Sequence, residues 1–414
     1  MQLSIPKFQF RFVPALGNVI HPGNFHPVGT QRSAQAMIER ARPEQAPVPG
    51  SGGNWLVVGG SGGFGSAARV VLGVVRGANT LDVSFDGQPN AESSNKIRKI
   101  GSPGFHRSLA IEKELRAGGL VARSLPGDAF DPAHRAKVIA ELREHFGGKL
   151  DGIVWALAAP RAIDPRTGSA VSSALRPLGG AITIKTMAGR DGEQGPKVST
   201  LELTPGAPEE AISTIYVMGG QVVSAWTDDL REAGVLAPGF QLVTISYRGN
   251  PLNEGTYRKG LIGLAKADLE FHTRAIDHVL KRELGGRAVA VEGPAVVTEA
   301  SGGIPGVPFY MAHLLDVMGD RFEDPFDSMQ RMFAEHFGEA GPTLDAEGLL
   351  RMDDRELAPE VQGELARRFE ASLPGQPFPE AHFDRFMTEY AKTRGFDIDG
   401  VDYDAEFDTD AVCK

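Results

Sequence analysis

Trp55-Leu56-Val57-Val58-Gly59-Gly60-Ser61-Gly62-Gly63-Phe64-Gly65-Ser66-Ala67-Ala68-Arg69-Val70-Val71-Leu72 changes texture twice. The apolar run Trp55–Val58 reads as a strand buried on both faces. A glycine-rich turn follows, and then helix-forming text over 66–72. Strand, glycine turn and helix in this order suit a dinucleotide. Glycines let the backbone approach a pyrophosphate, and the free N–H groups and dipole of a helix start favour its charge. Thr80–Phe85 reads as the next strand and leads into Asp86, about 20 positions beyond the loop. A carboxylate there accepts hydrogen bonds from both hydroxyls of an adenosine ribose and repels a 2′-phosphate. That favours NAD(H) over NADP(H). A glycine turn alone is weak evidence in a chain with 51 glycines. The ordered series of strand, loop, helix, strand and acid carries the reading.

The alternation continues outward. Helical text falls within 107–117 and 133–146, and strands within 119–124 and 150–157. Further strands are expected at Phe240–Ile245 and Arg287–Val291, with a helix over Ile262–Leu284 between them. Strands alternating with helices imply an α/β, Rossmann-type, doubly wound parallel sheet. Residues 164–235 break the rhythm and read as a substrate-side insertion, which enlarges that side of a fold otherwise like the short-chain reductases. Residues 1–50, rich in Pro, Gly and His, are expected to wrap the body. The dinucleotide-binding domain is expected over 51–320. Residues 321–414 turn acidic and helical and are expected to pack on the same body.

The totals narrow the class. The chain has 414 residues, a net charge of −10 and one cysteine, Cys413. A net acidic chain argues against a general nucleic-acid binder. One cysteine excludes a disulfide framework, a thiolate metal site and a core cysteine nucleophile, and suits a reducing cytoplasm. No apolar run reaches the ~18 residues of a membrane span. The opening MQLSIPKFQFRFVPALG lacks the uninterrupted apolar stretch and small-residue cleavage site of a secretory leader.

Two of the six tyrosines, Tyr247 and Tyr257, lie in Ser246-Tyr247-Arg248-Gly249-Asn250-Pro251-Leu252-Asn253-Glu254-Gly255-Thr256-Tyr257, and Lys266 follows nine positions after Tyr257. Nine steps at about 100° each carry a side chain to the opposite helix face. The two converge only if Tyr257 sits on a turn before the helix and Lys266 a turn inside it, which Gly255, Gly260 and Gly263 permit. Then the ammonium favours the phenolate, and the phenol can donate to an oxygen that gains charge. A loop tyrosine and a solvated lysine fit the spacing as well. Elsewhere, His21 and His26 flank a loop without nearby carboxylates, and Glu144, His145 and His336 lack a paired ligand pattern, so no metal is expected. The glycine loop lacks the Gly-Lys-Ser/Thr ending of an ATP-binding loop. The acids from Asp399 to Asp410 lack EF-hand spacing and read as a solvated tail.

Taken together, several ordered blocks resemble the NADH-dependent trans-2-enoyl-CoA and enoyl-acyl-carrier-protein reductases of the FabV/TER type. They are Asn24–Gly29, Gly59–Gly65, Gly127–Phe130, Leu157–Arg161 with Asp164–Gly168, Val217–Gly220, Tyr257 and Lys266 at the family's spacing, Val296–Ser301 and Phe396–Tyr403. The resemblance implies reduction of the C2–C3 double bond of an enoyl thioester by a monomer, with an acyl-CoA or acyl-carrier-protein substrate; the composition and motifs above add a cytoplasmic home and no nucleic acid, membrane or metal. It implies that Gly59, Gly60, Ser61, Gly62, Gly63 and Phe64 hold the pyrophosphate, and Phe85 and Asp86 the adenosine. Asp128 and Ala129 would flank the adenine, Leu157 and Ala158 line the cofactor path, and Val296, Val297 and Thr298 meet the nicotinamide. Tyr257 would be the proton donor, Lys266 its cofactor-binding helper and Tyr247 a substrate contact.

The chain departs from the family at Arg248–Pro251, where Ile-Gly-Pro-Glu is usual, at Asn253–Thr256, where Trp-Pro precedes the donor, and at Gln221–Ser224. These changes cluster on the substrate side while the cofactor blocks persist. They point to a divergent member acting on another activated enoyl group. Two competing functions use the same residues: a ketoacyl reductase, and a non-catalytic NADH-binding sensor.

Overall fold

The computed structural model describes residues 1–338 and 340–414. Among them, seven strands form one parallel sheet. From edge to edge it runs Leu350–Arg351, Arg287–Glu292, Leu236–Ser246, Leu150–Trp155, Asn54–Val58, Asn79–Val83, Ala122–Ser124. The chain builds outward one way from Asn54–Val58 and then the other way from Leu150–Trp155. The two halves diverge between these neighbours, and a crevice opens there at the carboxyl ends of the strands.

Alternation along each strand explains why both faces are covered. Trp55 and Val57 join one core with Val70, Leu72 and Ile111, while Leu56 and Val58 join the other with Val138, Trp226 and Leu269. All are nearly or fully buried, and each large side chain contributes about 1.5–3 kcal/mol on leaving water. The expected Rossmann-type sheet is therefore present.

Element ends differ from expectation in ways that matter. The second strand stops at Val83 rather than Phe85: Gly59 N donates to Val83 O at 2.8 Å and Gly127 N to Ser84 O at 3.1 Å, and among the described residues no backbone–backbone hydrogen bond follows at Phe85 or Asp86. Phe85 and Asp86 thus lie beyond the sheet. The third strand is confined to Ala122–Ser124, and the fourth ends at Trp155. The helix after the glycine loop begins at Gly63 and widens into a π turn over Val71–Val75.

Within 164–235 the chain forms the strand Ser169–Ser172, which pairs back on Arg161–Asp164, and the hairpin Ile182–Ala188 with Lys197–Leu203. The helices Pro208–Met218 and Gln221–Glu232 then pack on the long helix Leu261–Leu284. At the N-terminus, Gln2–Leu3 pairs with Phe407–Asp408. His26 caps the helix Pro27–Ala41, its Nδ1 accepting from Gly29 N at 3.0 Å. Its ring lies edge-on to Tyr403 at 5.0 Å. Near the C-terminus, the helices Pro359–Ala371 and Glu380–Lys392 pack on Val307–Met318. Among the described residues no helix is long and apolar enough to cross a membrane.

Candidate active site

The glycine loop is shaped for close approach. Gly59 has φ +86° and Gly63 φ +47°. A Cβ at Gly65 would lie 2.0 Å from Gly59 O, so the helix start can pack on the strand end only with glycine there. The first N–H groups of the Gly63–Val70 helix have no partner within it and face the crevice end of the loop.

Asp82 organises this loop from below. Its carboxylate accepts from Gly60 N at 3.0 Å, Ser84 Oγ at 2.7 Å, Ser108 Oγ at 3.1 Å and Ser124 Oγ at 3.2 Å. Arg69, fully buried, pairs with it at 3.3 Å. Ser84 Oγ in turn accepts from Ser61 N at 3.1 Å. Arg107 ties the loop to two other segments. It donates to Ser61 O, pairs with Glu299 at 2.9 Å and reaches Thr393 O at 3.1 Å.

Asp86 sits beside a cleft of about 200 Å3 lined by Asp82, Ser84, Phe105, Ser108 and Glu112. Its Oδ1 accepts from Ser102 Oγ at 3.0 Å, and it lies so close to Gly104 that a Cβ there would be 2.1 Å away. Burial pushes the Asp86 carboxyl upward, opposed by hydrogen bonds from Ser61 and Ser102. Phe85 is 84% exposed beside it. Asp128 spends Oδ1 on Phe130 N at 2.9 Å, and Ala129 is buried with its carbonyl taken by Trp226 Nε1 at 2.8 Å.

Leu157 and exposed Ala158 follow the fourth strand. The Leu157 backbone lies against Gly59, with a separation of 3.1 Å to a Cβ placed there. Thr298 Cγ2 comes within 3.2 Å of the corresponding point on Gly63. Ser301 Oγ pins the Val296–Thr298 turn, accepting from Thr298 N at 2.9 Å and donating to Val296 O at 3.1 Å. Gly59–Phe64, Leu157 and Val296–Thr298 therefore converge at the carboxyl edge of the sheet. This cradle fits a dinucleotide.

The tyrosines stand at the end of the neighbouring strand. Tyr247 follows Ser246, Tyr257 lies on the turn before Gly260, and Lys266 is one turn into the Leu261–Leu284 helix. The two rings meet edge to face with centroids 4.8 Å apart. Burial, and then the charge of Glu356, hold both phenols above their usual range. Tyr247 Oη accepts from Asn253 Nδ2 at 3.2 Å, and Tyr257 Oη has no hydrogen bond to a described residue. Lys266 is 6% exposed and donates to Ile245 O at 3.4 Å. Burial lowers its ammonium, against the charges of Glu292 and Glu270. No hydrogen bond joins Lys266 to Tyr257 among the described residues.

Sequence reasoning missed the supports. Asp82 was visible as a lone charge in an apolar strand. Arg107 and Glu299 carry no local signal, nor does Glu356, which is 1% exposed. Glu356 accepts from Asn250 Nδ2 at 3.1 Å, from Tyr310 Oη and from Ala295 N at 2.6 Å. Arg248, one of the departures, pairs with buried Glu270 at 2.8 Å and Glu292 at 3.2 Å.

Three family models match the chain in succession. The NAD(P)H binding domain of trans-2-enoyl-CoA reductase matches residues 14–91, and the trans-2-enoyl-CoA reductase catalytic region matches 99–337. An enoyl reductase FAD binding domain matches 344–407. Four aromatic residues of that last segment offer no ring face to a flavin. Phe378, Phe383, Phe386 and Tyr390, whose faces would stack on an isoalloxazine, are at most 3% exposed and pack into the core of the C-terminal helices.

Similar proteins extend the match over most of the chain. The enoyl-[acyl-carrier-protein] reductase [NADH] of Opitutus terrae is 35% identical over 92% of this chain and 95% of its own length. Its Pseudomonas fluorescens counterpart is 35% identical over 93% and 94%. Among solved structures, the Clostridium acetobutulicum trans-2-enoyl-CoA reductase in complex with NADH superposes with a TM-score of 0.87 at 30% identity, covering 100% of this chain and 99% of that one. The Treponema denticola enzyme in complex with NAD gives 0.84 at 31%, covering 98% of each. With the glycine cradle, the tyrosine pair and Lys266 at one sheet edge, the chain belongs to the trans-2-enoyl-CoA reductase family.

Proposed function

We propose that this protein reduces the C2–C3 double bond of an enoyl thioester, carried on coenzyme A or on an acyl-carrier protein, with NADH as the reductant. The observation that carries the reading is the Tyr247–Tyr257 pair, whose rings meet at 4.8 Å at the sheet edge that bears the glycine cradle. NADH, when bound, supplies the hydride that adds to C3. Residues Gly59–Phe64 and the helix start hold the pyrophosphate, and Asp86 takes the adenosine ribose. The acidic lining of that cleft, with Asp82, Asp86 and Glu112, disfavours a 2′-phosphate. Lys266 holds the nicotinamide ribose, and Val296–Thr298 contact the ring's side of the cofactor.

Hydride addition to C3 moves charge onto the thioester oxygen. Tyr257, kept protonated by its surroundings, donates to that oxygen, and Tyr247 adds a second donor. Donors aimed at the developing charge lower the barrier because they act more strongly there than on the ground state. A solvent proton taken up at C2 completes the reduction, so that the enoyl thioester, NADH and one proton give the acyl thioester and NAD. The polar loop Arg248–Thr256 selects the acyl group, which favours an activated enoyl group other than the simplest straight chain. The reading extends to a monomer of a reducing cytoplasm, which a single cysteine suits.

The test follows NADH oxidation by absorbance with crotonyl-CoA and, separately, with acetoacetyl-CoA. Turnover of the enoyl and not of the ketoacyl thioester is expected, with crotonyl-CoA a poor substrate; ordinary reductase rates on it would remove the case for a different acyl group. Turnover of acetoacetyl-CoA alone would make the protein a carbonyl reductase. Tight NADH binding with no turnover of either leaves another enoyl group or a binding protein, and a panel of longer and branched enoyl thioesters separates the two.

A further inference from the structure

The loop between the two tyrosines holds a side-chain chain whose hydrogen-bond directions are fixed. Asn250 Oδ1 accepts from Leu252 N at 3.0 Å, so its amide nitrogen faces Glu356, to which it donates at 3.1 Å. Asn253 Oδ1 accepts from Asn250 N at 2.8 Å, so its amide nitrogen faces Tyr247 Oη at 3.2 Å. A carboxamide has one accepting end and one donating end, and with the first engaged by a backbone N–H the second can only donate. Tyr247 Oη is thus an acceptor toward Asn253, and its own proton must point elsewhere. No described protein group accepts it.

The far end of the chain is anchored. Glu356 and Asn250 are 1% and 4% exposed, and Glu356 also takes Ala295 N at 2.6 Å, immediately before the Val296–Thr298 turn. The same carboxylate therefore holds the tyrosine loop and the turn assigned to the nicotinamide. Gly249, at φ +75°, leaves room for this arrangement: a Cβ there would lie 2.3 Å from Asn253 Oδ1.

We propose that Asn253, anchored through Asn250 to Glu356, is a positioning residue that turns the Tyr247 hydroxyl proton toward the thioester oxygen and so makes Tyr247 a second oxyanion donor. The inference rests on the enoyl reductase reading above. It gives a purpose to a loop that departs from the family at these positions.

The test measures kcat and KM with crotonyl-CoA and NADH for Asn253→Ala, Asn253→Asp, Tyr247→Phe and the doubles with Tyr247→Phe. Asn253→Ala is expected to lower kcat about tenfold with KM for NADH unchanged. Asn253→Asp keeps the shape and the bond from Asn250 N, but its carboxylate accepts the Tyr247 proton. Its kcat should fall about 100-fold at neutral pH, to the level of Tyr247→Phe, and recover as acidification protonates the aspartate. Neither change at 253 should lower kcat further once residue 247 is phenylalanine. Melting curves and NADH titration confirm that each variant is folded. If wild type turns over crotonyl-CoA and the losses at 253 persist undiminished alongside Tyr247→Phe, or Asn253→Asp behaves as wild type, the inference fails alone. If wild type turns over neither crotonyl-CoA nor any of a panel of longer and branched enoyl-CoA thioesters, the function and the inference fall together.

Discussion

Tyr247 and Tyr257 meet at an interplanar angle of 89° with their centroids 4.8 Å apart. The contact fixes both rings without engaging the Tyr257 hydroxyl. Because burial raises the Tyr257 phenol, it stays protonated through neutral pH and is available as a donor. Tyr257→Phe should reduce kcat by about 10²–10³-fold while leaving NADH affinity nearly unchanged. Steady-state rates with crotonyl-CoA and a fluorescence titration of NADH read the two effects separately. A variant that loses NADH binding along with turnover would place Tyr257 in cofactor binding instead.

The phosphate loop should be intolerant of small changes. Gly65→Ala puts a methyl 2.0 Å from Gly59 O, so the helix start must move off the strand end. NADH binding should weaken by more than about tenfold, roughly 1.4 kcal/mol. Asp82→Asn leaves fully buried Arg69 without its charge partner. Breaking such a pair costs about 3–5 kcal/mol, so a large drop in melting temperature is expected. A melting curve matching wild type would show that Asp82 does not organise the loop.

Cofactor choice should turn on Asp86. Asp86→Ser removes the carboxylate but keeps a hydroxyl near Ser102. The role proposed for this charge, repelling a 2′-phosphate and binding the ribose hydroxyls, predicts that the KM for NADPH falls about tenfold and that for NADH rises. Unchanged discrimination would move selectivity to Asp82 or Glu112 in the same cleft.

Much of this was legible in the text of the chain. Trp55–Val58, the glycine loop and the helix after it needed only local rules, because a strand buried on both faces is apolar throughout and a close backbone approach demands glycine. Tyr257 and Lys266 were expected as a pair only through the resemblance, since their spacing alone also suits a loop residue and a solvated lysine; Lys266 is in fact buried and bonds Ile245 O rather than Tyr257. Glu356 was not legible. It reaches the tyrosine loop from a segment about 100 residues away, and such closure depends on tertiary packing that leaves no periodic trace. Phe85 shows the limit of reading strand ends. Its text continues the strand, but the ladder bonds from Gly59 and Gly127 end at Ser84 and no described residue holds the Phe85 backbone.

The buried carboxyls beneath Lys266 predict an unusual stability profile. Glu292 is fully buried beside Glu270, and burial followed by the Glu270 charge pushes it up to about 8, against the pull of Arg248. A raised carboxyl holds its proton in the fold longer than in the unfolded chain. Its contribution is complete below the unfolded value near 4.5 and is lost as pH rises to about 8. His26 and His106 act oppositely, since burial lowers each from 6.5 to about 4. Their contribution is complete above 6.5 and is lost as pH falls toward 4. Stability should therefore peak near pH 6.5 and decline toward 8, by at most about 1.4 kcal/mol per pH unit for one group, and the melting temperature should follow. Glu292→Gln should flatten the alkaline side and steepen the rise between pH 5 and 6.5, because the Glu292 contribution already begins to be lost above 4.5. Melting curves of both proteins from pH 5 to 9 check this, and a variant that declines in parallel with wild type above pH 6.5 would remove Glu292 as the cause.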